Sequence, residues 1–381
     1  MIPFGLRVEG WRGINQSYAL VNQYQLLQLK KYPTITLYHD DLPMNLHWVR
    51  RSGFSAEQQS QIRSVPPSSG QRTDAVYRIS YPHRLYGTDA RRLFVFIIAE
   101  YNKYEPHAFY SGPEVESRYP TDSYMVVTPS NWSKGCLIDM GFEDRSIAVV
   151  PLGVDTELFH PIDRDERSRF RRMLGIARDD FLFLNVSAMT FNKGLDVLLN
   201  AFCTLRKRYS NASLLLKDES FLYGTTADAW LRHEVAKLPR GVATDEALAA
   251  IYFLSKNLDQ AELRSLLGSA DAYVAPYRAE GFNLPPLEAA ACGTPSIITS
   301  GGSTDDYFQS SFALRVESKK VSSEQVGEFL EPNMEHLLAS MEALILQRVH
   351  FDLEAGRRWI GENFSWELAT KRLADLIASA L

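Results

Sequence analysis

The chain has 381 residues, of which 45% are hydrophobic and 23% are charged, and its formal net charge is −5 at pH 7. This length suits two domains of ordinary size, and this composition is typical of a soluble globular enzyme and excludes a largely disordered chain. The acidic balance gives no electrostatic reason to expect nucleic acid as a partner. Three widely separated cysteines indicate neither a disulfide framework nor a zinc site, so a reducing cytoplasm fits best.

The amino-terminal residues do not have the pattern of a targeting segment. Residues 1–5 lack the basic start and apolar core of a signal peptide. No window of the chain approaches the roughly 18 apolar residues of a membrane span. We therefore expect a cytoplasmic protein that does not cross a membrane.

The first part of the chain alternates strands with helices. A short strand at residues 5–10 ends in a Gly-Trp-Arg-Gly loop, after which apolar residues recur at helical intervals over residues 14–31. Further strands are predicted at 34–38, 75–79, 93–99, 124–128 and 147–152. This pattern predicts an α/β domain. The loop lacks a full G-x-G-x-x-G, so we do not interpret it as a dinucleotide site, and a plain strand-to-helix turn that needs glycine explains it equally well.

A second alternating series follows a charged stretch at residues 163–172, which we interpret as a linker and helix start with a solvated face. Residues 181–186 form a nearly continuous apolar run, as expected of a buried parallel strand. Helices are then predicted at 194–209 and 260–268, and strands at 212–217, 249–254 and 272–275. This order predicts a doubly wound parallel sheet that binds ligands at the carboxyl ends of its strands. Ser365 is expected to cap a last helix that runs to Leu381.

Residues 277–295, with the sequence YRAEGFNLPPLEAAACGTP, are the most informative segment. Two carboxylates lie eight residues apart: Glu280 falls in a loop after a strand, and Glu288 falls on the first turns of a helix. The paired prolines fit the start of that helix, where a missing N–H costs nothing. Backbone N–H groups of residues 281–284 would lie at its positive end, which suits a diphosphate.

This segment resembles the E-x7-E signature of the retaining glycosyltransferases of family 4, also called glycosyl transferases group 1. Residues 153–161, with the sequence GVDTELFHP, resemble the segment that ends the first domain in that family. The resemblance implies the GT-B fold, an α/β architecture of two Rossmann-like doubly wound domains that face each other across a cleft. Residues 1–162 would then bind the acceptor and residues 175–362 the nucleotide sugar, and helix 364–381 would cross back to the first domain.

The resemblance also implies residue roles. Glu280 would contact hydroxyls of the transferred sugar, and Glu288 would hold the ribose of the nucleotide. Backbone groups near Lys217 and Ser255 would line the base pocket, and the loop at Gly13 would lie near the donor phosphate and the acceptor. The amides expected to hold the diphosphate belong to Gly281, Phe282, Asn283 and Leu284.

The chain departs from the family pattern after the first strand of the second domain. The family has a Gly-Arg pair and a downstream Lys-Gly there, and both cations grip the diphosphate. In this chain Lys193 is present, but Ala188 stands where the arginine is expected. A diphosphate leaving group gains much of its stability from cations, so the sequence predicts a substitute. Arg278 is the proposed one, and the hydroxyls of Ser187 and Thr190 are alternatives.

A second departure concerns the first domain, where the family often carries a histidine near the reacting sugar. Here the apolar run 94–99 leads into Glu100, the expected occupant of that place. His83 is an alternative cleft residue, although a lone histidine is more often structural. The pairs Asp40–Asp41 and Asp305–Asp306 are interpreted as caps or turn residues. The resemblance implies that neither a metal nor another cofactor is needed.

The resulting prediction is a hexosyltransferase with Glu280, Lys193 and Glu100 as catalytic residues. It would move a sugar from a nucleoside diphosphate donor, UDP or GDP unresolved, to a hydroxyl of a saccharide, glycolipid or other acceptor, in polysaccharide or glycoconjugate synthesis. A lipid-linked acceptor would require it to visit the inner surface of the membrane. The alternatives are a catalytically silent nucleotide-sugar-binding subunit and a sugar-nucleotide epimerase of the GT-B fold.

Overall fold

The computed structural model describes residues 2–44, 51–103, 107–109 and 123–381. The chain divides into two compact units. The first unit comprises Met1–Gly153, Gln325–Gly327 and Phe364–Leu381. The second comprises Val154–Glu324 and Glu328–Asn363. Within the described ranges, no helix is both long enough and apolar enough to cross a membrane.

The first unit contains a sheet of six parallel strands, in the order β2-β1-β3-β4-β5-β6. Parallel pairing places the carboxyl ends of all these strands at one edge of the sheet. The strands are β1 Phe4–Gly10, β2 Ile35–Asp41, β3 Ala75–Ile79, β4 Arg92–Phe96, β5 Tyr124–Thr128 and β6 Ile147–Val149.

The second unit contains another sheet of six parallel strands, in the order β12-β11-β10-β7-β8-β9. The chain order reverses between β7 and β10, which confirms the doubly wound topology predicted from the sequence. Ligands of such sheets bind at this switch point, outside the carboxyl ends of the strands. The strands are β7 Phe181–Val186, β8 Ala212–Lys217, β9 Ile251–Leu254, β10 Ala272–Ala275, β11 Ser296–Thr299 and β12 Ala313–Val316.

Helices connect most of these strands. In the first unit they are α1 Ser17–Leu29, α2 Ala56–Arg63 and α3 Asn131–Asp139, with the last helix of the chain, α13 Trp366–Ser379. In the second unit they are α4 Arg164–Met173, α5 Leu195–Arg206, α6 Ser220–Tyr223, α7 Ala227–Glu234, α8 Asp245–Leu248, α9 Gln260–Ser269, α10 Pro285–Ala291, α11 Met334–Ile345 and α12 Leu353–Asn363.

Each unit has its own apolar core. In the first, side chains of β3, β4 and β5 pack against Leu137 of α3. Helix α13 also packs on α1, where the rings of Tyr24 and Trp366 are stacked with their centroids 4.7 Å apart. Ser365 accepts a hydrogen bond from the Leu368 N–H at 3.2 Å, which confirms it as the N-cap of α13. In the second unit, helices α5 and α11 bury apolar side chains against the strands of the sheet.

The charged stretch at residues 163–172 is a helix start, as predicted, but it is not a linker with a solvated face. It forms helix α4, capped by Asp163, inside the second unit. Arg171 is only 4% exposed, and its guanidinium donates to Asp271 at 2.5 Å and to the carbonyl of Ser269. Arg167 donates to the same carboxylate at 2.6 Å. Because Asp271 immediately precedes β10, this charge cluster fixes the start of that strand.

Two further differences concern strands. Residues 249–250 were predicted to begin a strand, but β9 begins at Ile251, because Asp245–Leu248 form the short helix α8 just before it. Strands β13 Ser318–Ser323 and β14 Gly327–Pro332, which form a two-stranded sheet of their own, were also not predicted from the sequence. Strand β13 is mostly exposed, so it lacks the apolar alternation that predicts a strand.

Gly194 is the residue at which the turn after β7 meets the segment after β10. Its φ is +63°, and a Cβ added there would lie 1.8 Å from the carbonyl oxygen of Pro276.

Gly224 has a similar φ of +80° but nothing within 4 Å of an added Cβ, so it is a matched control. We expect Gly224→Ala to cost about 1 to 2 kcal/mol of stability through backbone strain alone. Gly194→Ala should cost at least about 2 kcal/mol more, because the backbone must also move apart.

Urea or thermal unfolding of the two variants measures the difference. Equal stabilities would show that the contact between Gly194 and Pro276 does not constrain the turn.

Candidate functional site

A half-buried ion pair lies at the switch point of the second unit. Lys193 ends a single 3-10 turn, Phe191–Lys193, that follows β7, and Glu280 lies in the segment that follows β10. The Lys193 Nζ donates to Glu280 Oε1 at 2.6 Å, and the two side chains are 18% and 12% exposed. The structure therefore brings together two residues that are 87 positions apart in the sequence and that the sequence assigned to one site.

Main-chain hydrogen bonds lock this pair in place. The N–H groups of Arg278 and Ala279 both donate to the carbonyl of Asn192, at 2.7 and 3.2 Å. The side-chain amide of Asn192 donates back to the carbonyl of Ala279 at 3.4 Å. Because Asn192 directly precedes Lys193 and Ala279 directly precedes Glu280, the backbone fixes the separation of the two charged side chains.

The loop and helix that carry Glu288 have the predicted form. Helix α10 begins at Pro285 and has Glu288 in its first turn. Among the described residues, the Glu288 carboxyl has no hydrogen-bond or ion-pair partner, and its burial raises its pKa to about 7. In the loop before α10, Asn283 adopts the left-handed conformation with φ +66°. Its side-chain Nδ2 is buried without a hydrogen-bond partner in the part of the chain that is described.

Tyr273 on β10 shows that three carboxylates lie around this edge of the sheet. Its ring is fully buried, and its hydroxyl donates to the carbonyl of Val186, the last residue of β7, at 3.1 Å. Burial raises the pKa of Tyr273 well above its usual value, and the negative charges of Glu280, Glu288 and Glu219 raise this pKa further. Since such interactions weaken with distance, the three acids lie near the Tyr273 ring.

The carboxyl ends of β8 and β9 lie next in the sheet. Lys217 is the last residue of β8, and its Nζ forms an ion pair with Glu219. Ser255 directly follows β9 and donates to Asp218 at 2.5 Å. Both residues thus lie at the edge where the sequence places them, and their contribution to a base pocket remains a prediction.

The two hydroxyls proposed as substitutes for the missing arginine already donate within the protein. Ser187 Oγ donates to Asn185 Oδ1, and Thr190 Oγ1 donates to Asn192 Oδ1, each at 2.6 Å. A hydroxyl has a single hydrogen to donate. Neither side chain can therefore donate to a phosphate without breaking its present hydrogen bond.

Arg278 does not fit the role of the missing cation, and we correct that prediction. Its side chain is buried, and all three of its nitrogens donate to acceptors within the second unit. Nη1 and Nη2 bind Asp196 at 2.6 and 2.8 Å, and Nε and Nη2 bind Glu331 at 2.7 and 2.9 Å. The guanidinium carbon also lies 4.4 Å from the ring centroid of Phe191. With two carboxylates around it, Arg278 clamps β14 and α5 onto the segment that carries Glu280.

The remaining predicted residues belong to the first unit. Gly13 lies in the loop after β1, with φ +76°, and its N–H donates to the side chain of Gln23 at 2.9 Å. Glu100 follows β4, and its carbonyl accepts a hydrogen bond from the Trp132 indole at 2.9 Å. The catalytic role of Glu100 and the donor role of Gly13 stay predictions. His83 is 2% exposed among aromatic rings, and burial lowers its pKa to about 4, so it is a neutral packed side chain near pH 7.

The aspartate pairs have ordinary structural partners. Asp40 accepts hydrogen bonds from the backbone and hydroxyl of Ser68, Asp41 is bound by both ends of the Arg12 guanidinium, and Asp305 accepts from Arg315. In the ranges described, no group of three or more His, Cys, Asp or Glu side chains is arranged to hold a metal ion.

Comparisons with known proteins show which proteins this chain resembles. Residues 166–339 match the family described as glycosyl transferases group 1. The GDP-mannose-dependent alpha-(1-6)-phosphatidylinositol monomannoside mannosyltransferase of Mycolicibacterium smegmatis is 24% identical over 269 residues, which are 68% of this chain and 64% of the relative. The MMP alpha-(1->4)-mannosyltransferase of Mycolicibacterium hassiacum is 32% identical over 51% of this chain and 41% of the relative. The chain thus spans less than two thirds of the length of these relatives.

Solved structures resemble the chain over nearly its whole length. A glycosyltransferase from Rickettsia africae has a TM-score of 0.69 at 14% identity and covers 98% of both chains. Anabaena HepE, in complex with UDP and glucose, has a TM-score of 0.67 at 13% identity and covers 99% of this chain and all of its own. The fold is therefore GT-B, the architecture of two Rossmann-like domains. Within this fold, residues 166–339 are the part of the chain that matches the glycosyl transferases group 1.

The raised pKa of Glu288 predicts a pH-dependent change in stability. Because burial raises the pKa of Glu288 from its usual value of 4.5 to about 7, the folded state loses stability as pH rises through this range. We expect Glu288→Gln to become more stable relative to the wild type as pH rises from about 4.5 to about 7, by on the order of 2 kcal/mol. Urea unfolding at several pH values measures this, with the exposed Glu335→Gln as control. A pH-independent difference would contradict it.

The clamp formed by Arg278 predicts a different pH dependence. Replacing Arg278 with Ala leaves Asp196 and Glu331 unpaired, which we expect to cost about 2 kcal/mol at pH 7. Although burial alone would raise the pKa of Asp196, the hydrogen bonds and charge of Arg278 lower it. The cost should therefore be full above about pH 4, the value of an unfolded aspartate, and shrink as pH falls below it.

The control for this clamp is Arg232→Ala, which breaks an exposed pair with Asp228 on α7 and should change stability little. Chemical unfolding of both variants measures the two changes in the free energy of unfolding. Arg278 would be a minor surface contact if its variant were as stable as the Arg232 variant.

Proposed function

We propose that the chain is a retaining hexosyltransferase. It transfers a sugar from a nucleoside diphosphate sugar to a hydroxyl of a saccharide or glycolipid, in polysaccharide or glycoconjugate synthesis. The observation that carries the proposal is the ion pair of Lys193 and Glu280 at 2.6 Å, at the switch point of the second sheet. One relative is named as dependent on GDP-mannose, and HepE was crystallised with UDP and glucose, which supports this donor class without choosing its base.

Each charged residue has a distinct task in this proposal. Without a donor, the ammonium of Lys193 is neutralised by Glu280. When the donor enters, its diphosphate replaces Glu280 as the anion paired with Lys193, and Glu280 accepts hydrogen bonds from the sugar hydroxyls instead. Glu288, which has no partner among the described residues, accepts hydrogen bonds from the ribose hydroxyls.

The chemical step follows from this arrangement. The bond between the anomeric carbon and the diphosphate oxygen breaks, and its electron pair leaves with the diphosphate. The acceptor oxygen bonds to the same face of the sugar, and its proton passes to the departing oxygen, so configuration is retained. Lys193 stabilises the charge that develops on the leaving group, and electrostatic stabilisation of this kind is usually the largest single term in catalysis.

The proposal also covers cofactors and the place in the cell where the enzyme works. The lysine and backbone amides serve the diphosphate, so the enzyme needs neither a metal ion nor another cofactor. It works in the cytoplasm, and it contacts the inner face of the membrane where its acceptor is lipid-linked.

Incubation with UDP-, GDP- and ADP-sugars, with and without EDTA, tests the function. We expect one donor to be hydrolysed slowly without an acceptor, at a rate that EDTA leaves unchanged. A donor that raises the melting temperature but is never consumed, even with saccharide acceptors, would support the silent binding subunit instead. If no donor is consumed and none stabilises the protein, the proposal is wrong.

The role of Glu280 predicts a separation of catalysis from binding. Glu280→Gln should lower the transfer rate by about 100-fold or more, because the amide holds the sugar poorly during bond breaking. Its affinity for the sugar-free nucleoside diphosphate should be unchanged or higher, since Lys193 loses a competing anion. Steady-state rates and calorimetry measure the two effects, with Glu335→Gln as the control. An equal loss of affinity for sugar-linked and sugar-free nucleotides would remove Glu280 from the sugar subsite.

A further inference from the structure

The proposed site has too few cations for its substrate. A diphosphate carries at least two negative charges, and the mechanism above assigns it only Lys193. Ala188 supplies no charge, and the guanidinium of Arg278 is held by Asp196 and Glu331. A second cation at the carboxyl edge of this sheet would complete the site.

Lys217 lies beside the position where the cation is missing. Strands β7 and β8 are neighbours, with Val186 paired to Lys217. The next residue, Ser187, donates its N–H to the carbonyl of Lys217 at 3.1 Å. Ala188 follows directly, so the two strand ends place Lys217 next to the turn that leads to Lys193.

The ammonium of Lys217 keeps donor capacity that Arg278 lacks. The side chain is buried, its Nζ pairs with Glu219, and it lies 5.1 Å from the ring centroid of Phe221. An ammonium has three hydrogens, and Glu219 is the sole hydrogen-bond acceptor for Nζ within the described residues. Two donors thus remain for a ligand.

Glu219 connects Lys217 to the site already described. Burial raises the pKa of Glu219, while Lys217 and, more weakly, Lys193 act to lower it, so this carboxylate lies within the field of both lysines. Glu219 also acts on Tyr273, as do Glu280 and Glu288. Two lysines and two glutamates therefore share the edge of β7, β8 and β10, and each lysine holds one glutamate.

We propose that the Lys217 ammonium is the second cation for the donor diphosphate, in place of the arginine that Ala188 lacks, with Glu219 as its counterion when no donor is bound. This inference rests on the proposed function, since it assigns a further ligand to the same substrate. The diphosphate displaces Glu219 from Lys217 as it displaces Glu280 from Lys193. The sequence assigned only the backbone of this residue to a base pocket.

Calorimetry with UDP, GDP and their nucleosides tests the proposal. Lys217→Met keeps the apolar stem against Phe221 and removes the charge. We expect its affinity for the nucleoside diphosphate that the wild type binds to fall by about tenfold or more, with no change for the nucleoside. The exposed Lys237→Met is the control, and Lys217→Arg should retain most of the affinity. Equal losses for nucleoside and diphosphate, or no loss at all, would overturn the assignment.

Glu219→Gln provides a test with the opposite sign. Because it removes an anion that competes with the diphosphate, it should tighten nucleoside diphosphate binding by a few fold, and weaker binding would contradict the proposal. The wild-type measurement distinguishes a failure of the proposed function from a failure of the role proposed for Lys217. A wild type that binds neither UDP nor GDP would count against the donor class itself, whereas a wild type and Lys217→Met variant that bind equally well would overturn only the role of Lys217.

Discussion

The ion pair between Lys193 and Glu280 is the interaction on which the rest of the site depends. The pair is mostly shielded from solvent, so its attraction is stronger than that of a surface pair. The backbone bonds from Asn192 and the close approach of Gly194 to Pro276 hold its two segments together. The protein thus presents a fixed lysine whose charge is balanced until another anion arrives. A preorganised cation of this kind needs no rearrangement when the leaving group develops charge.

A second layer of charges supports the first. Arg278 holds β14 and α5 against the segment of Glu280, and Arg167 and Arg171 hold Asp271 at the start of β10. The arginines of this unit therefore stabilise strand β10 from both of its ends, while the lysines lie at the edge that would meet the donor. An arginine fork suits such fixed multidentate contacts, whereas an ammonium exchanges one anion for another more readily.

The sequence predicted the parts of this structure that depend on local pattern. The apolar runs of β7 and β10, the helix start at Pro285 and the N-cap at Ser365 all follow from a few adjacent residues. The partners of Arg278 could not be predicted, because Glu331 lies on a short strand with no periodic signal. The family pattern indicated that a cation is missing at residue 188. The proposed substitute, Lys217, could not be identified in the same way, because it lies on the strand beside β7. That neighbour is known only once the sheet order is known.

The decisive measurement is a crystal structure of the protein with the nucleoside diphosphate that it binds. We expect the diphosphate to lie at the carboxyl edge of β7 and β10, with the Lys193 Nζ within hydrogen-bond distance of a phosphate oxygen and no longer paired to Glu280. The ribose hydroxyls should lie against Glu288. A nucleotide bound elsewhere, with the pair of Lys193 and Glu280 intact, would show that Lys193 does not bind the diphosphate.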